Sequence, residues 1–554
     1  MIKNQSDVNS DRFVRFLNLQ LRHKRIIFVE NSGTAMDRTI VRYPIGIQSF
    51  EKLRELGYLY IDKTDIIYNL VMSSNCVFLS RPRRFGKSLL LSTIQAYFEG
   101  KKELFKGLAI EQMETVWTKH AVLTLSLAKY HHNQENDLEN IIDYQFRIWE
   151  DRYNVKIKGE NLSSRFDSII RAAYEDSGQP VVILIDEYDN PIIETMHDPG
   201  RSEANRMLLK SIYVNIKDLD QYIRFTMLTG VSRFSKMTIF SGLNNLEDIS
   251  MDIDYAAICG LTEDELRDNF QQGIENIASI YKTDSEGVIQ LLKDNYDGYH
   301  FTRNCPDIYN PFSLLNALKK REIGAYWFQS ATPEFLVRQI QKGNRFLPHM
   351  FDETVEGSTL SASDILNDSP TSLLYQTGYL TIKGYEAPDE YRLGIPNLEV
   401  REGLFKNLAS LYFGKSTTEI YPYVREVRKL LEQRRVDEAM ERLRTFMAGI
   451  PYEFADKATE LHYENNLFII FVLIGVDARP EWHTSDGRID LLLSMRECIY
   501  IIELKRDGTP EEALDQIHKK DYARQFAGDP RPVVSLGVTF STKTRNITAW
   551  HAEM

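Results

Sequence analysis

The chain has 554 residues, 43% hydrophobic and 26% charged, the composition of a soluble globular protein with room for three or four domains. Its net charge of −12 excludes a wholly basic nucleic-acid binder, so any nucleic-acid contact must use a local patch. The longest apolar run, Leu467–Val476, is too short to span a bilayer, and Met1–Gln20 lacks the apolar region of a signal peptide.

Residues 1–41 read as an N-terminal extension with one short strand at Ile26–Val29. Phe50–Leu56 is expected to be helical and Tyr58–Ile61 to be a short strand. Asp62 or Thr64 then caps the next helix, and this segment is also placed to line a nucleotide base. The apolar run Cys76–Leu79 leads into Ser80-Arg-Pro-Arg-Arg-Phe-Gly-Lys-Ser88 and a helix from Leu89 to Phe98. Strand, loop, Gly-Lys-Ser and helix form the context of a phosphate-binding loop. Backbone N–H groups from Arg84 through Leu89, including Phe85 and Gly86, would cradle phosphates. Lys87 would reach the β/γ-phosphates, and the Ser88 hydroxyl would ligate Mg²⁺. Arg81 stands where the full signature has Gly, and Arg81, Arg83 and Arg84 together would suit a polyphosphate or another polyanion.

Val122–Leu127 reads as a buried strand, followed by helices at Leu138–Trp149 and Phe166–Tyr174. Val181–Ile185 is a run of five β-favouring residues ending in Asp186-Glu187, the pattern of an interior parallel strand with carboxylates at its C-terminal edge. Asp186 would hold Mg²⁺, and Glu187 would polarise an attacking water. A third apolar run, Ile223–Leu228, ends in Thr229-Gly-Val-Ser-Arg233. Thr229 or Ser232 fits a γ-phosphate sensor, and Arg233 fits either a charge-stabilising finger or a surface arginine. A finger supplied by a neighbouring subunit would imply a homo-oligomer; Arg233 acting within one chain would not. Helices at Leu261–Phe270 and Val288–Asn295 and a turn at Tyr296-Asp-Gly-Tyr-His300 complete a helical subdomain.

Tyr60-Ile-Asp-Lys-Thr64, Arg81–Ser88, Ile185–Asp189, Phe240-Ser-Gly-Leu-Asn244 and Tyr296-Asp-Gly-Tyr299 together resemble the bacterial AAA-ATPase-like family. The resemblance implies an ATP-binding P-loop domain over residues 42–329, and the family tolerates the missing first Gly.

Residues 330–415 change character: a helix at Ser361–Leu366, strand-like pieces at Leu373–Tyr375, Gly378–Thr381 and Glu390–Leu393, and a helix at Asn397–Tyr412. The pattern suggests a winged-helix-like module that binds DNA or relays nucleotide state. Residues 416–450 form a helical connector, Thr418–Met447, whose alternating Arg and Glu suit a solvated face.

Residues 451–554 carry a second constellation. A helix at Ala455–Ile474 precedes strands Gly487–Leu493 and Cys498–Lys505, joined by a turn at Arg496-Glu497. Alternation puts Glu503 and Lys505 on one strand face, and a hairpin brings Asp490 to them. Two carboxylates suit a hydrated Mg²⁺, and Lys505 would orient or deprotonate its water. With Glu460-Leu-His-Tyr463 and Ala513–Ile517, these residues resemble the PD-(D/E)XK nuclease superfamily. That resemblance implies a restriction-endonuclease-like core. Asp490 and Glu503 become metal ligands, Lys505 the catalytic lysine, Glu460 a helix acid on the metal and Gln516 a helix residue near the site. Glu464 and Glu481 are further candidates. The segment holds 12 Lys+Arg against 17 Asp+Glu, so a nucleic-acid partner, expected to be DNA, must meet a local patch such as Lys505, Arg506, Lys519, Lys520 and Arg524.

The expected whole is an α/β multidomain cytoplasmic protein using ATP and Mg²⁺, an ATPase joined to a metal-dependent nuclease. The competing reading is a nucleotide-operated switch whose nuclease-like part binds without cleaving. Four cysteines lie far apart with no C-x-x-C pair, which predicts reduced thiols rather than a disulfide framework.

Overall fold

The computed structural model describes residues 41–554 apart from 131–136, 157–158, 234–242, 244, 330–339, 341–346, 362–369, 387, 451–459, 475–476, 485–486, 542 and 545. The side chains of residues 460–464 and 477–488 also lie outside the description. The expected strand at Ile26–Val29, the helix at Ser361–Leu366 beyond its first residue, and most of Phe240–Asn244 therefore fall outside it.

The first sheet has five strands: β1 (Cys76–Ser80), β2 (Val122–Ser126), β3 (Val181–Asp186), β4 (Ile223–Gly230) and β5 (Glu247–Asp248). Their order is β2-β3-β4-β1-β5 and every pair is parallel. Strands β1, β3 and β4 are buried along most of their length, as apolar runs covered on both faces must be. Register places Ser80 beside Gly230, Leu79 beside Thr229 and Ser126 beside Asp186. The three loops singled out in the sequence thus leave one edge of one sheet.

Helices α1 (Phe50–Glu55), α2 (Thr64–Ser73) and α3 (Lys87–Phe98) surround β1, while α4 (Asp137–Arg152), α5 (Leu162–Ser177) and α6 (Pro199–Asp218) contribute to a second core with Leu123, Ile183 and Leu228. Tyr58–Ile61 joins no strand; Leu59 instead donates its N–H to Arg42 O. The N-cap of α2 is Lys63, without a side-chain cap bond, rather than Asp62 or Thr64; Asp62, one residue before it, accepts on Oδ1 from Thr64 N at 2.9 Å and Thr64 Oγ1 at 2.7 Å. A helical group follows: α7 (Glu263–Asn269), α8 (Gln271–Tyr281), α9 (Ser285–Tyr296) and α10 (Pro311–Lys320).

Strands β6 (Thr354–Glu356), β7 (Thr381–Glu386) and β8 (Glu390–Gly394) form a three-stranded antiparallel sheet in the order β6-β8-β7, winged-helix-like in topology. Two expectations fail here. Of Gly378–Thr381 only Thr381 enters a strand, and Leu373–Tyr375 is not a strand but part of helix α11 (Pro370–Thr377), with Leu374 and Tyr375 buried. Pro370 opens that helix and Gly378, at φ +88°, follows it; these boundary residues outrank the β propensity of a three-residue run. Helix α12 (Leu398–Phe413) begins at an Asn397 cap. The connector is two helices, α13 (Thr417–Glu432) and α14 (Val436–Ala448), broken where Arg434 turns left-handed at φ +57°. Their exposed Arg–Glu pairs form the solvated face expected.

Helix α15 (Glu460–Leu473) leads into a second five-stranded sheet: β9 (Asp477–Thr484), β10 (Gly487–Ser494), β11 (Ile499–Arg506), β12 (Val533–Ser541) and β13 (Asn546–Glu553), ordered β13-β12-β11-β10-β9. Only β11 and β12 are parallel, joined through α16 (Pro510–Lys519), which carries a Thr509/Glu512 capping box. One buried cluster runs from Phe50 through Leu404 and Phe468 to Ile547, so both sheets contribute to a continuous core. No described helix is long and apolar enough to cross a membrane.

Candidate functional site

Each of the two five-stranded sheets carries a polar centre. At the first, Gly86 takes φ +95°, a conformation that excludes most side chains, and launches α3 with Lys87 at its first position. Lys87 is 6% exposed, and its Nζ donates to Arg81 O at 2.8 Å and Pro82 O at 3.1 Å. Burial lowers its pKa, opposed by the charges of Asp186, Glu187 and Asp189. Ser88 Oγ donates to Asp186 Oδ2 at 2.6 Å, and Thr229 Oγ1 donates to Asp186 Oδ1 at 2.7 Å. Loop serine, strand-end acid and neighbouring-strand threonine are thus brought together. Hydroxyl and carboxylate oxygens in this pairing are donors suited to a hard divalent cation.

Glu187 is next to Asp186 and sits at φ +53°, a strained backbone for a non-glycine residue. Burial raises its pKa, against the charge of Lys87. Asp189, only 1% exposed, receives Val231 N, Ser232 N and Ser232 Oγ at 2.6–2.8 Å on its Oδ2. Ser232 therefore holds Asp189, while Thr229 holds Asp186. Asp189 clamps the β3 loop onto the β4 loop, a function with no local sequence signal beyond its place in Ile185–Asp189.

Arg81 departs from the polyanion expectation. Its guanidinium is buried, donating from Nη1 to Ser80 O and Ser250 O and from Nη2 to Tyr255 O, with Phe301 stacked at 4.1 Å. It pins the loop to its neighbours because both of its Nη groups donate to carbonyls. Arg84 is exposed, at φ +71°, with its guanidinium over Phe312. Arg233 pairs through Nη2 with Asp248 Oδ2 at 2.6 Å and gives its backbone N–H to Gln376 Oε1 at 2.9 Å. Phe85 is buried against Tyr299 and Phe301. Beside Gly86 and Leu89 lies an apolar cavity of about 110 Å³, lined by residues including Tyr60, Ile61, Ile258 and Leu261.

The second centre is the β10–β11 hairpin with α16 above it. Glu503 is fully buried; its Oε1 accepts from Asp490 N at 3.3 Å and its Oε2 accepts from Gln516 Nε2 at 2.8 Å. Lys505 Nζ donates to Gln516 Oε1 at 2.6 Å, and Leu504 N donates to Asp490 Oδ2 at 2.8 Å. Asp490, Glu503, Lys505 and Gln516 thus converge as the strand alternation requires. Gly537, in register with Glu503 on β12, makes this possible: a Cβ there would lie 2.2 Å from Pro510 O, so any side chain would lift α16 off the sheet. Burial and the adjacent Asp490 carboxyl hold the Glu503 carboxyl protonated well above the ordinary range. Two neighbouring carboxyls are a donor set that fits a divalent cation. The side chains of Glu460, Glu464 and Glu481 lie outside the description.

Comparison with known proteins covers the stretches that hold both centres. Residues 44–240 match a family model described as predicted AAA-ATPase, and residues 458–550 match one described as PD-(D/E)XK nuclease superfamily. An uncharacterised protein from the vnfD 5′ region of Azotobacter chroococcum mcd 1 is 35% identical over 523 residues, covering 92% of this chain and 99% of that one. The chain belongs to the predicted AAA-ATPases that carry a PD-(D/E)XK nuclease superfamily domain at the C-terminal end.

Proposed function

We propose that this protein is a cytoplasmic ATP hydrolase that controls a metal-dependent nuclease acting on DNA, with residues 42–329 as the ATPase, 330–415 as a winged-helix-like relay, 416–450 as connector and 451–554 as the nuclease. The hydrogen-bonded Ser88–Asp186–Thr229 set supports the first activity. Ser88 and Asp186 would hold Mg²⁺, and the N–H groups of Arg84–Leu89 with Lys87 would hold phosphates. Leaving the Arg81 and Pro82 carbonyls is the movement Lys87 makes to reach them. Glu187 would orient the attacking water, and its raised pKa suits a proton acceptor. The apolar cavity beside Gly86 would take the base. Arg233, neutralised by Asp248, serves as a finger only if that pair opens.

Asp490 and Glu503, with Glu460 from α15, would hold the nuclease cation; when bound, it supplies Lewis-acid stabilisation of phosphate charge. Lys505, aligned by Gln516, would position the water. The observation that carries the coupling is a chain of contacts between the centres. Trp327 Nε1 donates to Arg83 O in the phosphate loop at 3.2 Å. The backbone N–H groups of Tyr326 and Trp327 both donate to Glu399 Oε1 on α12, which is 4% exposed. Phe405 on the same helix meets Phe468 of α15 edge-on at 5.4 Å. Helix α15 begins with Glu460.

The winged-helix-like part favours relay over DNA reading. Helix α11 is turned inward: Leu374 and Gln376 are buried, and Gly378 lies so close to Pro82 that a Cβ would come within 2.7 Å. The test is cleavage of plasmid and single-stranded DNA with Mg²⁺, with and without ATP, by wild type and Glu503→Ala. ATP-responsive cleavage lost in the variant supports the reading; cleavage indifferent to Glu503 overturns it.

A further inference from the structure

Lys63 belongs to Tyr60-Ile-Asp-Lys-Thr64, and the residues on either side of it are tied down. Asp62 Oδ1 accepts from Thr64 N and Oγ1, and its Oδ2 accepts from Ala109 N at 2.7 Å. Thr64 Oγ1 in turn accepts from Ile110 N at 3.1 Å. Between these anchors Lys63 is 8% exposed, and its ammonium pairs with Glu265 Oε1. Glu265 is itself fixed. Its Oε2 accepts from Thr262 N at 2.9 Å and its N–H donates to Thr262 Oγ1 at 3.3 Å, the capping box of α7. Among the described residues Glu265 is the one hydrogen-bond partner of that ammonium, which carries three N–H donors.

The pair belongs to the apolar cavity beside Gly86. Tyr60, Ile61 and Lys63 line that cavity from one segment, Gly260 and Leu261 from another. Lys63 reaches from the first segment to the second, because Glu265 stands in the first turn of α7, directly after Leu261 and its Thr262 cap. Gly260 N donates to Phe85 O at 3.1 Å, which ties the second segment to the Arg81–Ser88 loop. Among the described residues lining the cavity, Lys63 is the one charged side chain, and no aspartate or glutamate lines it. An ammonium among apolar walls suits a ligand that brings hydrogen-bond acceptors, and donors buried there without a partner are costly. Adenine fits: its ring nitrogens outside the glycosidic bond are unprotonated acceptors. Guanine brings a ring N–H and an amino group on its pairing edge, and both would enter without a carboxylate to receive them.

We propose that Lys63 donates a hydrogen bond to a ring nitrogen of adenine in this cavity, and that the cavity thereby selects adenine over guanine nucleotides. Glu265 is the positioning residue: it holds the ammonium in place and takes one of its donors, leaving the others to the base. This selection deepens the reading of Arg81–Ser88 as the nucleotide site and rests on it.

The experiment is calorimetric titration of the full-length protein, in Mg²⁺, with ATP, GTP and the 1-, 3- and 7-deaza analogues of ATP, each of which replaces one ring nitrogen by C–H. In wild type, one deaza analogue is expected to bind about tenfold or more weakly than ATP, as for loss of a hydrogen bond to a charged donor, and GTP to bind at least about tenfold more weakly. In Lys63→Met that analogue and ATP are expected to bind within about threefold of each other, because the donor is gone. The paired variant Lys63→Met/Glu265→Gln leaves no unpartnered buried charge and takes the place of the single variant where thermal melts show that one unfolded. Three analogues that all bind wild type as ATP does overturn the Lys63 contact, and so does a penalty undiminished in the folded variant. GTP bound as tightly as ATP overturns the selection. A protein that binds no ATP refutes the nucleotide reading, and the role of Lys63 falls with it; ATP binding with an unchanged analogue pattern refutes Lys63 alone.

Discussion

Trp327 and Arg83 are 244 residues apart in sequence and joined by one hydrogen bond, from the indole N–H to the loop carbonyl at 3.2 Å. Trp327 thereby connects the Arg81–Ser88 loop to Glu399 on helix α12. Trp327→Phe keeps the ring and deletes the donor, a change worth about 1 kcal/mol in a neutral bond. The expected outcome is ATP binding within about threefold of wild type and a loss of most of the ATP response of cleavage. Parallel titrations of nucleotide binding and nuclease rate check it; an intact response removes Trp327 from the relay.

The two halves of the proposed ATP site are expected to separate by mutation. Lys87→Ala removes the buried ammonium and is expected to weaken ATP binding more than tenfold. Glu187→Gln keeps binding but slows hydrolysis by about 10²-fold or more, as expected for loss of a general base. Phosphate release and equilibrium binding, measured on both variants, distinguish the roles. A Glu187→Gln enzyme with normal turnover assigns the base elsewhere.

Arg81 offers a test of structure against ligand contact. A buried guanidinium bonded to three carbonyl groups takes a donor from each when removed. Arg81→Ala is therefore expected to cost about 3 kcal/mol or more and to lower the melting temperature without added nucleotide. If Arg81 instead gripped phosphate, the melt would stay put and only ATP affinity would fall.

Glu503 makes the metal-free protein pH-sensitive. Its folded pKa is raised, so the native state keeps a proton that the unfolded chain releases above the ordinary value of 4.5. The stability associated with that proton is complete below 4.5 and is lost as pH rises toward the folded value. Glu503→Gln cannot ionise. In chelator it is expected to melt a few degrees higher than wild type at pH 8, and the two to converge at pH 4. With Mg²⁺ the order reverses, because only wild type gains from the cation. Calorimetry across pH checks the crossing.

The sequence was most legible where a strand ended in chemistry. Lys87, Asp186 and Thr229 each follow an apolar run, and parallel register alone brings such ends together. The Asp490–Glu503–Lys505 cluster followed from two-residue alternation and one short turn. Legibility failed where a residue's partner is remote. Nothing local to Gln376 announces Arg233, and nothing near Glu399 announces Trp327. Arg81 misled because a basic residue in a phosphate loop suggests charge complementarity, whereas burial turned its donors toward carbonyls. At Leu373–Tyr375 an apolar triplet suited either period, and its Pro and Gly boundaries decided for helix.

The unbroken core has a practical corollary for protein engineering. Tyr500 of the second sheet gives its hydroxyl to Leu431 O at 2.6 Å, and Trp550 Nε1 bonds Asp437 at 2.9 Å, so both tie the sheet to the connector helices. A fragment cut at residue 450 would lose both anchors and expose oily surface on each piece. Anyone wishing to graft this PD-(D/E)XK domain onto another protein should transplant it with α13 and α14 attached.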